Sequence, residues 1–186
     1  MLREKIIEFV YRCATGSRKI RSIAAPIGAV FYFTLIMLFI IAAVKLDERL
    51  RLPGLFPFKI NLILSAPVIV MGLFLMLWSI AHFIKAKGTP VPLNPPPKLV
   101  TAGPYAFARN PMLTGIFILL LGIGILFNSI SLIFIFMPCF ILISALELKM
   151  IEEPELERRL GERYIRYKKN VAMFFPVQYK NQPKNH

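Results

Sequence analysis

Four apolar stretches organise the chain. Residues 23–44 run for 22 positions without a charge, and residues 60–84 run for 25 without Asp, Glu, Lys or Arg. A bilayer core of about 30 Å is crossed by about 20 helical residues. Each stretch therefore predicts a membrane-spanning helix, the second with a kink at Pro67. Residues 112–127 and 130–146 are shorter runs of 16 and 17 residues, separated only by Asn128-Ser129, which predicts a tight antiparallel helical hairpin. At about 1.5 Å per residue its arms reach about 24 to 26 Å, so they borrow flanking residues or stop short of the full core.

Amphipathic patterns flank these runs. In residues 2–13, Leu2, Ile6, Phe9, Val10 and Cys13 recur at roughly helical spacing while Arg3, Lys5 and Arg12 lie elsewhere, as in a helix lying in the membrane interface. Near the other end Leu156, Leu160, Tyr164, Tyr167 and Val171 step by threes and fours, so one helix face is apolar and aromatic and must cover something. The pattern predicts an all-α integral membrane protein of about four transmembrane helices. It adds an interfacial helix at the start and a cytoplasmic amphipathic helix at the end, with residues 1–186 forming a single domain.

Composition sharpens the orientation. Hydrophobic residues make up 56% of the chain and charged ones 18%, against about 45–50% and about 25% in soluble domains. The 23 Lys and Arg against 10 Asp and Glu leave a net charge of +13. Six of the basic residues fall in residues 1–22, four in 45–59, four in 85–111 and nine in 147–186. Positive residues stay inside, so both termini and the 85–111 loop are expected to be cytoplasmic, in agreement with an even number of spans. The excess charge then faces anionic lipid head groups and gives no reason to invoke nucleic acid. The first apolar run is too long for a signal-peptide core and lacks a clear small-residue cleavage site. Cys13 and Cys139 are far apart and form no zinc or disulfide pattern, and no metal site is expected.

Two polar segments carry the candidate chemistry. Residues 85–115 hold six prolines between Pro90 and Pro104, which excludes a helix there and predicts a semi-rigid extended path over the membrane surface. The chain re-enters at Asn110-Pro111, where Asn suits a helix cap and Pro the first helical position, leaving free N–H groups near a positive dipole end. Residues 147–176 place Glu152, Glu153 and Glu155 around Pro154, with Glu155/Arg159 and Glu162/Arg166 four apart. This helix would cover the proline loop. Soluble nucleotide motifs and a serine elbow are absent. His186 is the last residue and His82 sits one turn before Lys85, where a hydrogen-bonded interfacial role fits best, so the reaction must need little general-base help.

Two blocks of residues resemble a known family. Residues 99–115, LVTAGPYAFARNPMLTG, look like L-V-x-x-G-x-Y-x-x-x-R-H-P-x-Y-x-G, and residues 152–176, EEPELERRLGERYIRYKKNVAMFFP, are similar to E-E-x-x-L-x-x-x-F-G-x-x-Y-x-x-Y-x-x-x-V-x-x-x-x-P. Both patterns belong to the integral-membrane isoprenylcysteine carboxyl methyltransferases and phospholipid methyltransferase-like relatives, which use S-adenosylmethionine. The resemblance implies cofactor contacts at Pro97, Lys98, Leu99, Val100, Gly103 and Tyr105, and at Asn110, Pro111, Met112 and Leu113. It makes Glu152, beside Glu153, the carboxylate that holds the cofactor. Asn110 stands where the family has His and Leu113 where it has Tyr; Leu148, beside Lys149, stands where it has a substrate-binding Arg.

The chemistry of these residue types is compatible with that role. A carboxylate at Glu152 or Glu153 suits an ammonium group or ribose hydroxyls, Tyr105 offers an aromatic face to a cation, and Arg109 can fix a carboxylate or loop carbonyls. Arg109 and Lys149 are the candidate catalytic residues. In-line methyl transfer draws much of its rate from positioning. A carboxylate acceptor is already ionised at pH 7, so no base is required. The expected acceptor is a lipid or lipidated molecule entering from the bilayer. Gly115, Gly122 and Gly124 either bring helices close or leave a groove for its chain. A membrane reductase using NADPH, built on a similar turn and hairpin, and a non-catalytic scaffold are the alternatives.

Overall fold

A computed structural model describes residues 2–89 and 95–175; Pro90 and Pro92 of the proline path, Pro176 at the end of the second block and His186 lie outside the described residues. The amphipathic start forms α1 (Leu2–Thr15). The first apolar run lies within α2 (Arg18–Leu50), and the second forms α3 (Phe58–Lys85). A short 3-10 turn, Gly103–Ala106, interrupts the loop that was expected to be wholly extended, and α4 (Pro111–Leu126) is the first arm of the hairpin.

The second arm departs from expectation. In place of a span ending near residue 146 and a separate helix, one continuous rod runs over Leu132–Leu160. It consists of a π turn Leu132–Phe136, α5 (Met137–Glu147), a second π turn Leu148–Glu152 and α6 (Glu153–Leu160). The cause is the same at both wide turns. Pro138 and Pro154 have no N–H, and their rings crowd the carbonyls four residues back, at Phe134 and Met150. The residue before each proline reaches one further: Met137 N–H donates to Leu132 O and Glu153 N–H to Leu148 O. A π turn thus absorbs the proline without ending the helix. The break comes at Gly161, whose φ of 59° favours glycine, and it divides the expected amphipathic helix into α6 and α7 (Glu162–Asn170).

Among the described residues three helices are long and apolar enough to cross a membrane, Pro26–Leu50, Phe58–Lys85 and Leu132–Leu160, and Pro111–Leu126 is a shorter apolar one. Their outer surfaces are apolar, with Phe31 70% and Ile63 71% exposed. Such a surface is stable against lipid and would be a liability in water.

Two kinds of packing hold the rods together. Ile36, Ile40 and Ala43 of α2 meet Ile116, Phe117 and Leu120 of α4 and Phe140 of α5 in an apolar core. Edge-to-face rings reinforce it, with Phe117 and Phe140 centred 5.9 Å apart. By contrast α3 and α4 meet through backbone. A Cβ on Gly72 would lie 2.7 Å from Leu119 N, and one on Gly115 would lie 2.8 Å from Met76 N. Gly122 abuts Ile69 of α3, and Gly124 abuts the Ile133 side chain of the second hairpin arm. These glycines therefore serve close approach, and the groove reading of them fails because the space is already filled.

Candidate functional site

Polar residues gather at the end of the bundle where the 95–110 loop, α6 and α7 meet. The apolar stripe of the last two helices covers the loop, as its periodicity requires. Tyr167 donates its hydroxyl to Tyr105 O at 2.6 Å, and Arg159 Nη1 donates to Pro96 O at 3.3 Å. Ala108 and Ala172 form a parallel bridge, with Arg109 N–H donating to Ala172 O at 2.8 Å and Asn110 N–H to Met173 O at 3.0 Å. Thr114 Oγ1 donates to Phe174 O at 2.8 Å. The two segments that carry the sequence motifs are therefore one structural unit.

Asn110 does not cap α4 with its side chain; its Nδ2 turns to Met173 O at 3.4 Å. Pro111 takes the first helical position and is buried, while Met112 and Leu113 are half-buried beside it. Tyr105 is 3% exposed, with its ring edge-on to Phe83 at 4.9 Å. Gly103 has a φ of 62° and packs against the His82 ring, so glycine is required there both for conformation and for space. His82 itself bonds Trp78 O through Nδ1 at 2.9 Å, the structural role expected of it. Leu99 and Val100 are half-buried in the loop, whereas Pro97 and Lys98 are exposed.

The acidic cluster separates into engaged and open carboxylates. Glu153 is buried and pairs with Arg109 through Oε1 and with Lys168 Nζ through Oε2 at 2.6 Å. Glu155 is likewise buried and pairs with Arg159 at 2.7 Å, and Glu157 pairs with Lys168 at 2.9 Å. Hydrogen bonding to Glu153 holds the Lys168 ammonium above the ordinary lysine range. Arg109 is thus a clamp between loop and α6, with Glu153 as its counter-charge. The expected Glu162/Arg166 pair is not made; Arg166 Nε reaches Glu162 O at 3.5 Å.

Glu152 makes no ion pair or hydrogen bond among the described residues. In an α-helix residues five apart stand about 140° round the axis from one another. The π turn Leu148–Glu152 stacks Glu152 about one turn above Glu147. Tyr32 of α2 and Tyr105 of the loop each bring a hydroxyl into the interior of the bundle. Those two hydroxyls, with Arg109 Nε, are buried and without a hydrogen-bond partner. Burial pushes the Tyr105 phenol above its ordinary range, so at pH 7 it is a neutral O–H. Orphaned buried hydroxyls are costly in a finished structure and mark where a polar ligand completes the bonding.

The structure therefore brings Glu152, Tyr105 and the start of α4 to one end of the bundle with the loop. Lys149 is exposed, with no polar partner among the described residues, and is not brought to Arg109. Leu148 beside it is 2% exposed and offers no charge. Sequence reading missed Tyr32 and Glu147. Tyr32 sits alone in an apolar span, and a polar ring in such a run was the available signal. No metal-binding cluster occurs among the described residues. A family model described as phospholipid methyltransferase matches residues 60–163, from α3 through the loop, the hairpin and Glu152 into α7. No curated protein and no solved structure gives a significant match.

Proposed function

Because the chain belongs to the phospholipid methyltransferase family, we propose that it transfers a methyl group from S-adenosylmethionine to a lipid acceptor at the membrane interface. The observation that carries this reading is that Glu152 makes no ion pair or hydrogen bond among the described residues, while the buried hydroxyls of Tyr105 and Tyr32 have no partner either. When bound, S-adenosylmethionine supplies an electrophilic methyl group on a sulfonium, together with an ammonium, a carboxylate and a ribose. Glu152 would hold the ammonium or the ribose hydroxyls, Tyr105 a further hydrogen bond, and the backbone at Asn110, Pro111, Met112 and Leu113 the wall of the site. Tyr32 would close it from α2. Arg109 and Glu153 hold loop and helix together, so their role is to keep this arrangement and exclude water.

The acceptor side favours an amine over a carboxylate. Leu148 stands where the resemblance would put a carboxylate-binding Arg, and it is buried and uncharged. Two unpaired charges flank it, Lys149 and Glu147, and of these Glu147 is the anion suited to an ammonium head group. An ammonium must lose a proton before its nitrogen can attack, and Glu147, at the end of the apolar run 130–146, would receive it. The basic residues of the loop and both ends support a cytoplasmic site with both termini on that side.

The test is direct. Purified protein in vesicles is given methyl-labelled S-adenosylmethionine and either an amine-headed phospholipid or a fully methylated one. Label in the amine-headed lipid alone supports the proposal. Label in neither lipid by a protein that binds S-adenosylhomocysteine removes the lipid-amine acceptor, and binding of NADPH in place of the homocysteine removes the reaction class.

A further inference from the structure

The π turn that aims Glu152 is made by Pro154, and a residue 151 positions earlier in the sequence completes it. Pro154 has no N–H to offer Met150 O, the carbonyl four residues before it. That carbonyl accepts from Arg3 Nε of α1 at 2.9 Å. The bond lies on the exposed side of the rod, where water would otherwise be the carbonyl's only partner. The guanidinium reaches it because α1 lies along the rod. Ile7 and Ala14 of this helix are each 6% exposed, Ile6 lines a cavity with Ile143, Leu146 and Met150 of the rod, and Phe9 faces outward at 61%. A second fastening holds the other end of α1: Arg158 Nη1 donates to Glu8 Oε2 at 2.6 Å, and its guanidinium lies 4.1 Å over the Tyr11 ring.

We propose that Arg3 is a positioning residue for the cofactor site: by bonding the carbonyl that Pro154 leaves free, it holds the wide turn that carries Glu152 and fixes its register. It touches neither donor nor acceptor. Without it the Met150 carbonyl competes for other donors, the turn loses its fixed register, and the Glu152 carboxylate swings away from its place. Glu8 and Arg158 fasten the same helix without touching the turn, so the two fastenings separate positioning from simple docking.

The inference rests on the assignment of Glu152 to the cofactor, and the experiment keeps the two apart. S-adenosylhomocysteine is titrated calorimetrically into the unaltered full-length protein and into Arg3→Ala, Arg3→Lys, Glu8→Gln, Pro154→Ala and Arg3→Ala/Pro154→Ala, with thermal unfolding followed for each. Arg3→Ala is expected to weaken binding about tenfold, Arg3→Lys to restore it to within about threefold, and Glu8→Gln to lower the unfolding temperature with affinity unchanged. Pro154→Ala returns an N–H to the carbonyl, so it should weaken binding itself and make the loss of Arg3 add nothing further. Equal affinity for the unaltered protein and Arg3→Ala overturns this inference alone, as does equal weakening by Glu8→Gln. No binding by the unaltered, folded protein overturns the cofactor assignment and the inference with it.

Discussion

The two ends of the helical bundle both gather polar side chains, and they treat their carboxylates in opposite ways. At the end where α2 meets the hairpin turn, Asp47 spends both oxygens: Ser129 Oγ donates to one and Ser131 N–H to the other at 3.0 Å. Asn128 beside it, at a φ of 57°, accepts from Leu55 N–H at 2.6 Å and donates to Phe56 O at 3.1 Å. The polar atoms left over there are neutral, Ser131 Oγ and Asn61 Oδ1. At the loop end Glu153 and Glu155 are as fully engaged, yet Glu152 in their midst pairs with nothing, and the buried hydroxyls of Tyr32 and Tyr105 are unpartnered as well. A polar cluster that closes on itself fastens a fold. One that leaves a carboxyl group and nearby hydroxyls unpaired is built to receive something.

That contrast breaks most sharply at Arg109. Replacing it with Ala leaves buried Glu153 with Lys168 alone, and loss of one partner of a buried pair costs roughly 3–5 kcal/mol. Arg109→Ala is therefore expected to lower the unfolding temperature strongly in detergent and to weaken cofactor binding as the loop loosens; an unchanged melting curve would remove the clamp. The opposite end supplies the control. Asp47→Ala strands the Ser129 hydroxyl and the Ser131 N–H, a loss of about 1–3 kcal/mol in stability. Its affinity for S-adenosylhomocysteine should stay as in the unaltered protein, and a parallel fall in affinity would erase the distinction between the two ends.

Smaller effects sharpen it further. Gly161 has open space around its would-be Cβ but a φ of 59° with a ψ of −141°, a backbone that glycine adopts almost alone, so Gly161→Ala is expected to cost about 1–3 kcal/mol through the backbone. Chemical unfolding should report that loss with unchanged binding. Smallest is a pH effect at Lys168. Its pKa is raised from 10.5 by hydrogen bonding to Glu153 and then to Glu157. A raised cation stabilises the fold fully below its unfolded value and loses that contribution as pH climbs through the folded one. The melting temperature of the unaltered protein should therefore fall more steeply above about pH 10.5 than that of Lys168→Met, and identical slopes would show that the ion pair is inert.

Much of this arrangement was legible in the residues. The apolar runs located the four rods, Asn128-Ser129 the hairpin turn, and the stripe from Leu156 to Tyr167 the surface that covers the loop. The continuity of Leu132–Leu160 was not legible, because proline in a sequence reads as a helix boundary, and only the three-dimensional ladder shows a wide turn accommodating it. The split at Gly161 was hidden by periodicity that continues across it, since Tyr164 and Tyr167 keep the same apolar face. Within the site, adjacent Glu152 and Glu153 were interchangeable by residue type, and only the resemblance singled out Glu152. Burial against Arg109 and Lys168 takes up one, and the register of the π turn frees the other. Tyr32 and Arg3 act across more than a hundred positions from Glu152, a distance that no local pattern spans.

The measurement that tests the account most directly is calorimetric titration of S-adenosylhomocysteine into the detergent-purified protein and into Glu152→Gln, with NADPH titrated in parallel. The open carboxylate predicts saturable one-site binding by the unaltered protein and no response to NADPH. Affinity should fall at least about tenfold in Glu152→Gln, the loss expected for a charged hydrogen bond, while its unfolding temperature stays unchanged because Glu152 holds nothing else in place. Equal affinity in the two proteins would contradict the assignment of Glu152, and an unfolding temperature that falls with the substitution would make it one more fastening, like Asp47 at the other end.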